Sequence, residues 1–267
     1  RRDLNCDHEV GAGPASSPTL VGNNVVVHVD GRDVQYIIAL DKFTGKTAWK
    51  TPRSLDYSKI PVHHRKAYCM PTLAPRGDGK QLVSPAGRGL YAYDPETGKE
   101  LWHVRHRGWS VAPRPVSGHG LVFATVDRDR PELWAIRLNG NGDVTDTHIK
   151  WKSIRSMPQR CSPLLVGDLL FVVNRGGIVS CLEAKTGKVV WKERLKGSYS
   201  ASPIFAKGRI YLFNEEGLST VIRPSRKYEV IDSNALAKQP FMATPAVDGN
   251  AFIMRTGRHL YRIEEPK

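Results

Sequence analysis

Residues Asp94-Pro-Glu-Thr-Gly-Lys-Glu-Leu-Trp102 decide the fold, because the same frame recurs at Asp41–Trp49 and at Glu183–Trp191. In each copy an acidic residue opens the segment, a Thr-Gly pair follows, and a Trp stands eight residues after the acid. The acid is placed to accept hydrogen bonds from the amides of a tight turn, and the glycine supplies the left-handed residue that the turn requires. Internal repetition of this kind is typical of repeat architectures.

A second element recurs on a matching period, in the form of a residue followed by proline and then a β-rich run. Its copies are Ser17-Pro18, Met70-Pro71, Ala112-Pro113, Ser162-Pro163, Ser202-Pro203 and Thr244-Pro245. Each unit divides into four short strands separated by turn residues, and no segment shows a helical period with caps at both ends. All-β units of about 40 to 45 residues predict the blades of a β-propeller.

We therefore predict one all-β domain over residues 1–267, built from four-stranded blades. The predicted blade ranges are 17–50, 70–103, 112–152, 162–192, 202–232 and a partial blade at 244–263, with 1–16 as the end of a preceding blade.

The repeated frame resembles the PQQ-like repeat of quinoprotein-alcohol-dehydrogenase-like propellers, and the architecture is similar to that of BamB-type β-barrel assembly lipoproteins. The resemblance implies that each Trp lies between consecutive blades and stacks on the Thr-Gly turn of the next one. The blade-docking residues that it predicts are Trp49, Trp102, Trp151 and Trp191, with the turn glycines Gly45, Gly98 and Gly187.

Three units depart from the pattern. The third replaces the Thr-Gly turn with the longer Asn139–Asp143 loop before Trp151. The fifth has no Trp, and we expect Val230 or Ile231 to fill its inter-blade position. The sixth stops at Tyr261–Ile263 without a fourth strand.

The resemblance also bears on the number of blades. Relatives of this kind close with eight blades, which at about 42 residues each require roughly 340 residues. We therefore expect about two N-terminal blades to lie outside this chain. The alternative is a six-blade ring in which residues 1–16 supply the last outer strand beside Leu260–Ile263.

The charge is strongly positive, with 40 Lys and Arg against 26 Asp and Glu, a formal net charge of +14. The basic residues, Arg53 among them, are spread over the units and follow the repeat, so they predict a solvated rim. Aromatic-interleaved motifs of RNA or single-strand binding are absent from the sequence, so no specific nucleic-acid partner is expected. No apolar run reaches the roughly 18 to 20 residues of a membrane span.

The sequence does not indicate a catalytic or cofactor site. Quinoprotein dehydrogenases stack their quinone against a disulfide of adjacent cysteines and bind Ca²⁺, whereas Cys6, Cys69, Cys161 and Cys181 are far apart. Calcium-loop spacing is missing as well, so neither pyrroloquinoline quinone (PQQ) nor calcium is expected. The four cysteines are predicted to be free thiols, with one disulfide as the alternative.

Two further clusters have both a chemical and a structural interpretation. His63 and His64 with Cys69 suggest a metal site, but a solvated basic loop explains them better. Asp7-His8-Glu9 suggests acid–base chemistry, because histidine titrates near neutral pH. Without an identifiable nucleophile, structural hydrogen bonding is the preferred interpretation.

The remaining prediction is a binding surface. Residues just before the proline steps should lie near one mouth of the propeller channel, and they mix aromatic and charged side chains, which dominate binding hot spots. They are Glu9, Tyr68, Trp109, Arg160, Tyr199 and Phe241. The alternative is a structural role, in which these side chains only fill the channel.

We expect an exported protein, periplasmic or extracellular with a signal upstream of this chain, that binds a protein or envelope component without catalysis. The alternatives are a periplasmic quinoprotein-type oxidoreductase with part of its site outside this chain, and a sensor domain of a larger membrane protein.

Overall fold

The computed structural model describes residues 4–8, 16–236 and 239–264. They fall into two compact units, divided between Ile154 and Arg155, and each is described by itself. Both units are built from antiparallel sheets, as the repeat predicts. Two short 3-10 turns, Tyr57–Lys59 and Val62–His64, lie between the first and second sheets of unit 1. None of the helical turns in the described ranges has the length or the apolar character that crossing a bilayer requires.

Unit 1 contains three sheets among its described residues. Sheet 1 is formed by β1 (Thr19–Val21), β2 (Asn24–Asp30), β3 (Gln35–Asp41) and β4 (Thr47–Pro52). Sheet 2 is formed by β5 (Thr72–Arg76), β6 (Gly79–Ala86), β7 (Gly89–Tyr93) and β8 (Glu100–Arg105). Sheet 3 is formed by β9 (Val116–Gly118), β10 (Leu121–Val126), β11 (Glu132–Arg137) and β13 (Ile149–Ser153). The remaining strand, β12 (Gly142–Asp143), pairs in parallel with β8 and extends sheet 2.

Unit 2 contains three more sheets in the part that the structure describes. Sheet 4 is formed by β14 (Leu164–Val166), β15 (Leu169–Val173), β16 (Ile178–Glu183) and β17 (Val189–Arg194). Sheet 5 is formed by β18 (Ile204–Ala206), β19 (Arg209–Phe213), β20 (Leu218–Ile222) and β21 (Val230–Ala235). Sheet 6 is formed by β22 (Ala246–Asp248), β23 (Ala251–Arg255) and β24 (Leu260–Glu264). The four-stranded antiparallel blade predicted for each complete repeat is confirmed.

The turn before each outer strand forms as the repeated frame predicts. The Asp41 carboxylate accepts hydrogen bonds from the Thr44 amide (2.7 Å) and hydroxyl (2.8 Å), and Asp94 accepts the equivalent pair from Thr97 at 2.8 Å each. Gly45 takes a φ of +69°. These bonds favour the ionised acids and hold the pKa of Asp41 and Asp94 below the usual value. A local sequence signal therefore determines this turn.

Within each unit, successive sheets pack face to face across apolar cores. Sheets 1 and 2 bury Ile37 and Trp49 against Leu82 and Tyr91. Sheets 2 and 3 share a larger cluster that includes Trp102. In unit 2, sheets 4 and 5 bury residues such as Phe171 and Leu212 together. Burial of this kind is the main stabilising term for sheets of such short strands.

Tryptophans connect neighbouring sheets. The Trp49 indole donates from Nε1 to the Pro95 carbonyl oxygen at 3.3 Å and lies against Gly98 in the turn of sheet 2. Trp102 is fully buried, contacts Gly140 of the next repeat and donates to Gln81 Oε1 at 2.7 Å.

The two other repeat tryptophans lie on the outer strands of sheets 3 and 4. Trp191 donates to the Ser225 carbonyl oxygen at 3.0 Å and so contacts the turn of sheet 5. Trp151 packs on Phe123 of its own sheet, with ring centroids 5.8 Å apart. The glycine of the sheet 4 turn, Gly187, has a φ of +74°.

Sheet 5 departs from the predicted arrangement. In sheets 1 and 4 the Trp pairs with the residue just before a β-bulge, as in Ala39–Trp49 and Cys181–Trp191. In sheet 5 the residue at this register is Asp232, opposite Val221. The prediction that Val230 or Ile231 fills the position is therefore wrong, and both side chains are exposed.

The N-terminal segment is described only at Leu4–His8. The Arg32 amide donates to the Asp7 carbonyl oxygen at 2.7 Å, so this segment lies beside the β2–β3 turn of sheet 1. Most of the predicted preceding blade, residues 1–3 and 9–15, lies outside the described residues. The blade number and the single-domain prediction stay predictions.

Candidate binding surface beside Trp109

The structure places the predicted channel-mouth residues in different environments. Glu9 lies outside the described residues. Tyr68 and Trp109 of unit 1 are half-buried. Arg160 of unit 2 is exposed and donates to Ser200 Oγ at 3.1 Å.

The other two residues lie in the interior of unit 2. Tyr199 packs in the core between sheets 4 and 5, and Phe241 stacks on Phe213 with ring centroids 5.4 Å apart. Both side chains are fully buried, so they offer no surface to a partner in the folded state. For these two residues, packing in the cores of unit 2 explains the aromatic side chain.

Trp109 lies in a cluster of aromatic and basic side chains. Its ring centroid is 4.8 Å from the His64 imidazole and 5.7 Å from that of His63, both in the Val62–His64 turn. The Arg128 guanidinium carbon lies 5.7 Å from the same ring, within cation–π range. Arg88 Nη2 lies 2.5 Å from His64 Nδ1. A flat aromatic face and two guanidinium groups therefore meet at one place.

Backbone hydrogen bonds hold the connections that carry this cluster. The Arg88 amide donates to Gly108 O at 2.9 Å, and the Ser110 amide donates to Lys66 O at 3.1 Å. Arg88, Ser110 and Asp127 all have positive φ without being glycine. Such residues cost free energy and concentrate at functional sites, where the surrounding structure enforces them.

The charged groups at this surface are the arginines and the Asp127 and Asp129 carboxylates, all of which act near His64 or Trp109. Burial and the nearby Arg88 lower the pKa of His64, so its imidazole is neutral at pH 7 and can accept a hydrogen bond from Arg88. The positive charge then comes from the arginines, which bind carboxylates and stack on aromatic rings.

Of this cluster, sequence reasoning selected Trp109 and missed the two arginines. The strand order indicates that Arg88 and Trp109 are neighbours. Arg88 lies in the β6–β7 hairpin turn and Trp109 follows β8, and both positions are at the same end of sheet 2.

A buried ion pair lies at the end of sheet 1 and makes hydrogen bonds to sheet 2. Arg53 donates from Nε to Asp30 Oδ1 at 3.1 Å and from Nη2 to Asp30 Oδ2 at 2.7 Å, and both side chains are fully buried. Arg53 also donates to Ser84 Oγ at 2.9 Å and to the Tyr93 hydroxyl at 3.1 Å. The assignment of Arg53 to the solvated rim is therefore wrong, because its charge is neutralised inside the protein.

This buried cluster does not form a nucleophile triad. His28 Nδ1 lies 3.4 Å from Ser84 Oγ and 3.5 Å from Asp30 Oδ2, so both groups face the same ring nitrogen. A triad instead needs the base to bind the nucleophile with one nitrogen and the carboxylate with the other. Arg53 occupies Asp30 and Ser84, and burial lowers the pKa of His28 to about 4. The arrangement is that of a structural hydrogen-bond network.

The two minor clusters of the sequence are separated in the structure. Cys69 is buried and donates from Sγ to Pro85 O at 3.4 Å, while His63 and His64 meet edge to face beside Trp109. His8 packs against Tyr68. Its burial, and to a smaller extent the positive charge of Lys66, lower the pKa of His8. Asp7 Oδ2 lies 3.6 Å from Arg32 Nε.

The described residues do not fit a quinone–calcium site. They contain no group of three His, Cys, Asp or Glu side chains that could hold a metal ion. Each of the four cysteines is a free thiol, so the disulfide of adjacent cysteines that stacks on the quinone has no counterpart in this part of the chain. No chemical step through such a cofactor follows from this arrangement.

The blades and their Trp-docked turns define the class of PQQ-like β-propeller repeat proteins. A family model described as outer membrane protein assembly factor BamB matches residues 5–105, 71–158 and 129–258, and the chain belongs to this family.

Individual relatives agree with the family. An outer membrane protein assembly factor BamB from Alkalilimnicola ehrlichii is 25% identical over 243 residues, covering 90% of this chain and 48% of the relative. A polyvinylalcohol dehydrogenase from Sphingopyxis sp. is 24% identical over 236 residues, covering 74% of this chain and 36% of the relative. The crystal structure of BamB from Moraxella catarrhalis has a TM-score of 0.65 at 14% identity, covering 92% of this chain and 71% of that one, which shows a shared fold. The chain spans about half the length of the first relative and about a third of the second.

Proposed function

We propose that this chain is a non-catalytic binding propeller that recognises a protein of the bacterial envelope through the surface beside Trp109. The observation that carries the proposal is the half-buried Trp109 ring, held between the His63–His64 pair and Arg128 with Arg88 alongside. Binding hot spots of protein interfaces are enriched in Trp, Tyr and Arg side chains. The partner segment that fits this surface is acidic and contains an aromatic residue.

The proposal includes an exported location, periplasmic or extracellular. This location is supported by the family, which is described as outer membrane protein assembly factor BamB. A protein that acts at the outer membrane works outside the cytoplasm. An epitope tag on the full reading frame, followed by cell fractionation, tests this part. Recovery of the tagged protein in the cytoplasm would overturn it.

The binding surface is tested in two steps. A photo-crosslinking amino acid at position 109 of the full-length protein identifies the partner in cells. The affinity of the purified partner is then compared for wild type, Trp109→Ala and Phe43→Ala, the last removing a solvent-exposed aromatic residue on the turn of sheet 1.

We expect Trp109→Ala to weaken binding by at least about tenfold, as for a hot spot, and Phe43→Ala to leave it unchanged. Equal affinity of wild type and Trp109→Ala would refute the assignment of this surface.

The second candidate is a quinoprotein-type oxidoreductase with part of its site outside this chain, which the polyvinylalcohol dehydrogenase relative favours. Adding PQQ and Ca²⁺ to the full-length protein and measuring dye-linked alcohol oxidation separates the two. Activity that depends on both additions would overturn the non-catalytic proposal.

A further inference from the structure

Sheet 5 lacks the tryptophan that, in sheets 1, 2 and 4, contacts the next repeat. Its counterpart, Asp232, is exposed, and its carboxylate accepts hydrogen bonds from the Ser233 amide at 2.7 Å and from Asn234 Nδ2 at 3.1 Å. These local bonds hold the short side chain near its own strand. The space between sheets 5 and 6 that an indole would occupy is therefore left to other groups.

A cleft of about 450 Å³ opens between these two sheets of unit 2. One wall includes Tyr211, Phe213 and Val221 of sheet 5, and the other includes Phe252 and Met254 of sheet 6. Val221 is the direct cross-strand neighbour of Asp232, so the cleft adjoins the vacated tryptophan position. Its size lies within the range of ligand sites and exceeds one aromatic ring.

The rim of the cleft is polar and can bind a peptide backbone. Lys207, Asn234 and Asn250 contribute to it, so donors and an amide oxygen border the apolar walls. An apolar interior with a few polar groups at the edge is the usual composition of a site that binds an amphipathic group.

The chain itself shows how an outer strand of these sheets takes on a further strand. In sheet 2 the short strand β12 adds in parallel to β8, with Gly142 opposite Trp102. The loop before it brings Gly140 against the Trp102 ring. A large side chain on the sheet thus meets a small residue in the loop that leads into the added strand.

Strand β21 offers the reverse arrangement. All six of its residues are exposed, and no described strand pairs with its outer edge. It carries no Lys, like β8, the outer strand that accepts β12, whereas β4, β13 and β17 each carry at least one. Because lysine on an edge discourages strand addition, its absence leaves this edge open to pairing.

We propose that an extended segment of a partner protein adds to the outer edge of β21 and inserts a tryptophan side chain into the cleft between sheets 5 and 6. Strand addition supplies backbone hydrogen bonds and the cleft selects the side chain, which is a common mode of peptide recognition. The indole replaces the ring that Asp232 does not supply. This site is separate from the Trp109 surface and does not depend on its function.

The test uses the whole chain and two acetylated, amidated peptides. One is Ser-Thr-Trp-Thr-Ser with 5-fluorotryptophan, whose fluorine NMR signal reports binding, and the other has alanine at the central position and competes with the first. We expect the tryptophan peptide to bind wild type, and the alanine peptide to compete at least tenfold more weakly.

The variants separate cleft occupancy from general effects. Asp232→Trp fills the cleft from within and should weaken peptide binding at least tenfold, while raising the midpoint of thermal unfolding. Asp232→Ala removes the same carboxylate but leaves the cleft open, so binding should be unchanged. If Asp232→Trp does not fold, Val221→Trp blocks the cleft from the cross-strand position.

Three results would overturn the proposal. They are no binding of the tryptophan peptide at millimolar concentration, equal competition by the alanine peptide, and undiminished binding to a folded cleft-filling variant.

Discussion

Two glycines of the repeated turn allow the contribution of tryptophan docking to be measured. Gly45 and Gly98 hold the same position in the turns of sheets 1 and 2, with φ of +69° and +72°. A methyl group added at Gly45 would meet no described atom within 4 Å. At Gly98 it would overlap the Trp49 ring and come within 2.9 Å of Thr51 Oγ1, whose hydroxyl donates to Gly98 O at 2.7 Å.

The expected destabilisation follows from these two environments. Alanine at either position pays for the left-handed backbone, about 1–2 kcal/mol. At Gly98 the methyl group also displaces a packed ring, and overpacking of this kind costs about 1–3 kcal/mol more. We therefore predict losses of about 1–2 kcal/mol for Gly45→Ala and about 2–5 kcal/mol for Gly98→Ala.

Urea denaturation followed by circular dichroism gives the comparison, provided that all variants unfold with the same slope. A Trp49→Leu background completes a double-mutant cycle, because removing the ring should bring the cost of Gly98→Ala closer to that of Gly45→Ala, with the Thr51 hydroxyl contact left in place. Equal losses from the two glycine substitutions in the wild-type background, or a gap that is undiminished in the Trp49→Leu background, would show that the indole does not constrain this turn.

Three further outcomes follow from the buried groups. Arg53→Met should destabilise the protein by about 3–5 kcal/mol, because it leaves the buried Asp30 carboxylate without a partner, and Asp30→Asn in the same chain should recover part of the loss in urea titrations. Burial lowers the pKa of His28 and of His106 to about 4, below the usual value near 6.5. The unfolded state therefore binds more protons than the folded state between pH 6.5 and 4. The free energy of unfolding should fall as the pH drops through this window, by up to about 3 kcal/mol per histidine. If the free energy of unfolding of His28→Gln depends on pH as steeply as that of wild type, this prediction is wrong. With iodoacetamide at pH 8, Cys6 should react first, because it is only partly buried while the other three thiols are buried; mass spectrometry of the labelled peptides gives the order.

The turns and strands could be predicted because their causes are local. The acid, threonine and glycine of each frame lie within four residues of one another, and the hydrogen bonds of Asp41 and Asp94 join those same residues. The alternation of the following strand depends on nearest neighbours as well. The fold class therefore follows from short stretches of sequence.

The partner of Arg53 could not be predicted in this way. Asp30 is 23 residues away, and Ser84 and Tyr93 belong to another sheet. A basic residue after an outer strand looks the same in sequence whether it points into solvent or between two sheets. Only the packing of sheet 1 on sheet 2 decides it.

The tryptophan position of sheet 5 was missed for a reason of register. Counting eight residues from Arg223, as from Asp41 to Trp49, leads to Ile231. In sheet 1 the residue pair after the bulge is Leu40–Thr47, whereas in sheet 5 it is Ile222–Val230, so the turn is one residue longer. A shift of one residue exchanges the two faces of a strand, and Asp232 takes the position.

The short strand β12 lies on a sheet edge that could otherwise support self-association. An outer strand with unpaired amides and carbonyls can pair with the same strand of another molecule, which is a common route to aggregation. In sheet 2, β12 covers part of this edge. The outer strands of sheets 1, 3 and 4 instead carry an exposed lysine directly after the tryptophan, at Lys50, Lys152 and Lys192. Like charges keep such edges apart, so three of the 40 basic residues lie on strands whose edges would otherwise meet in a concentrated solution.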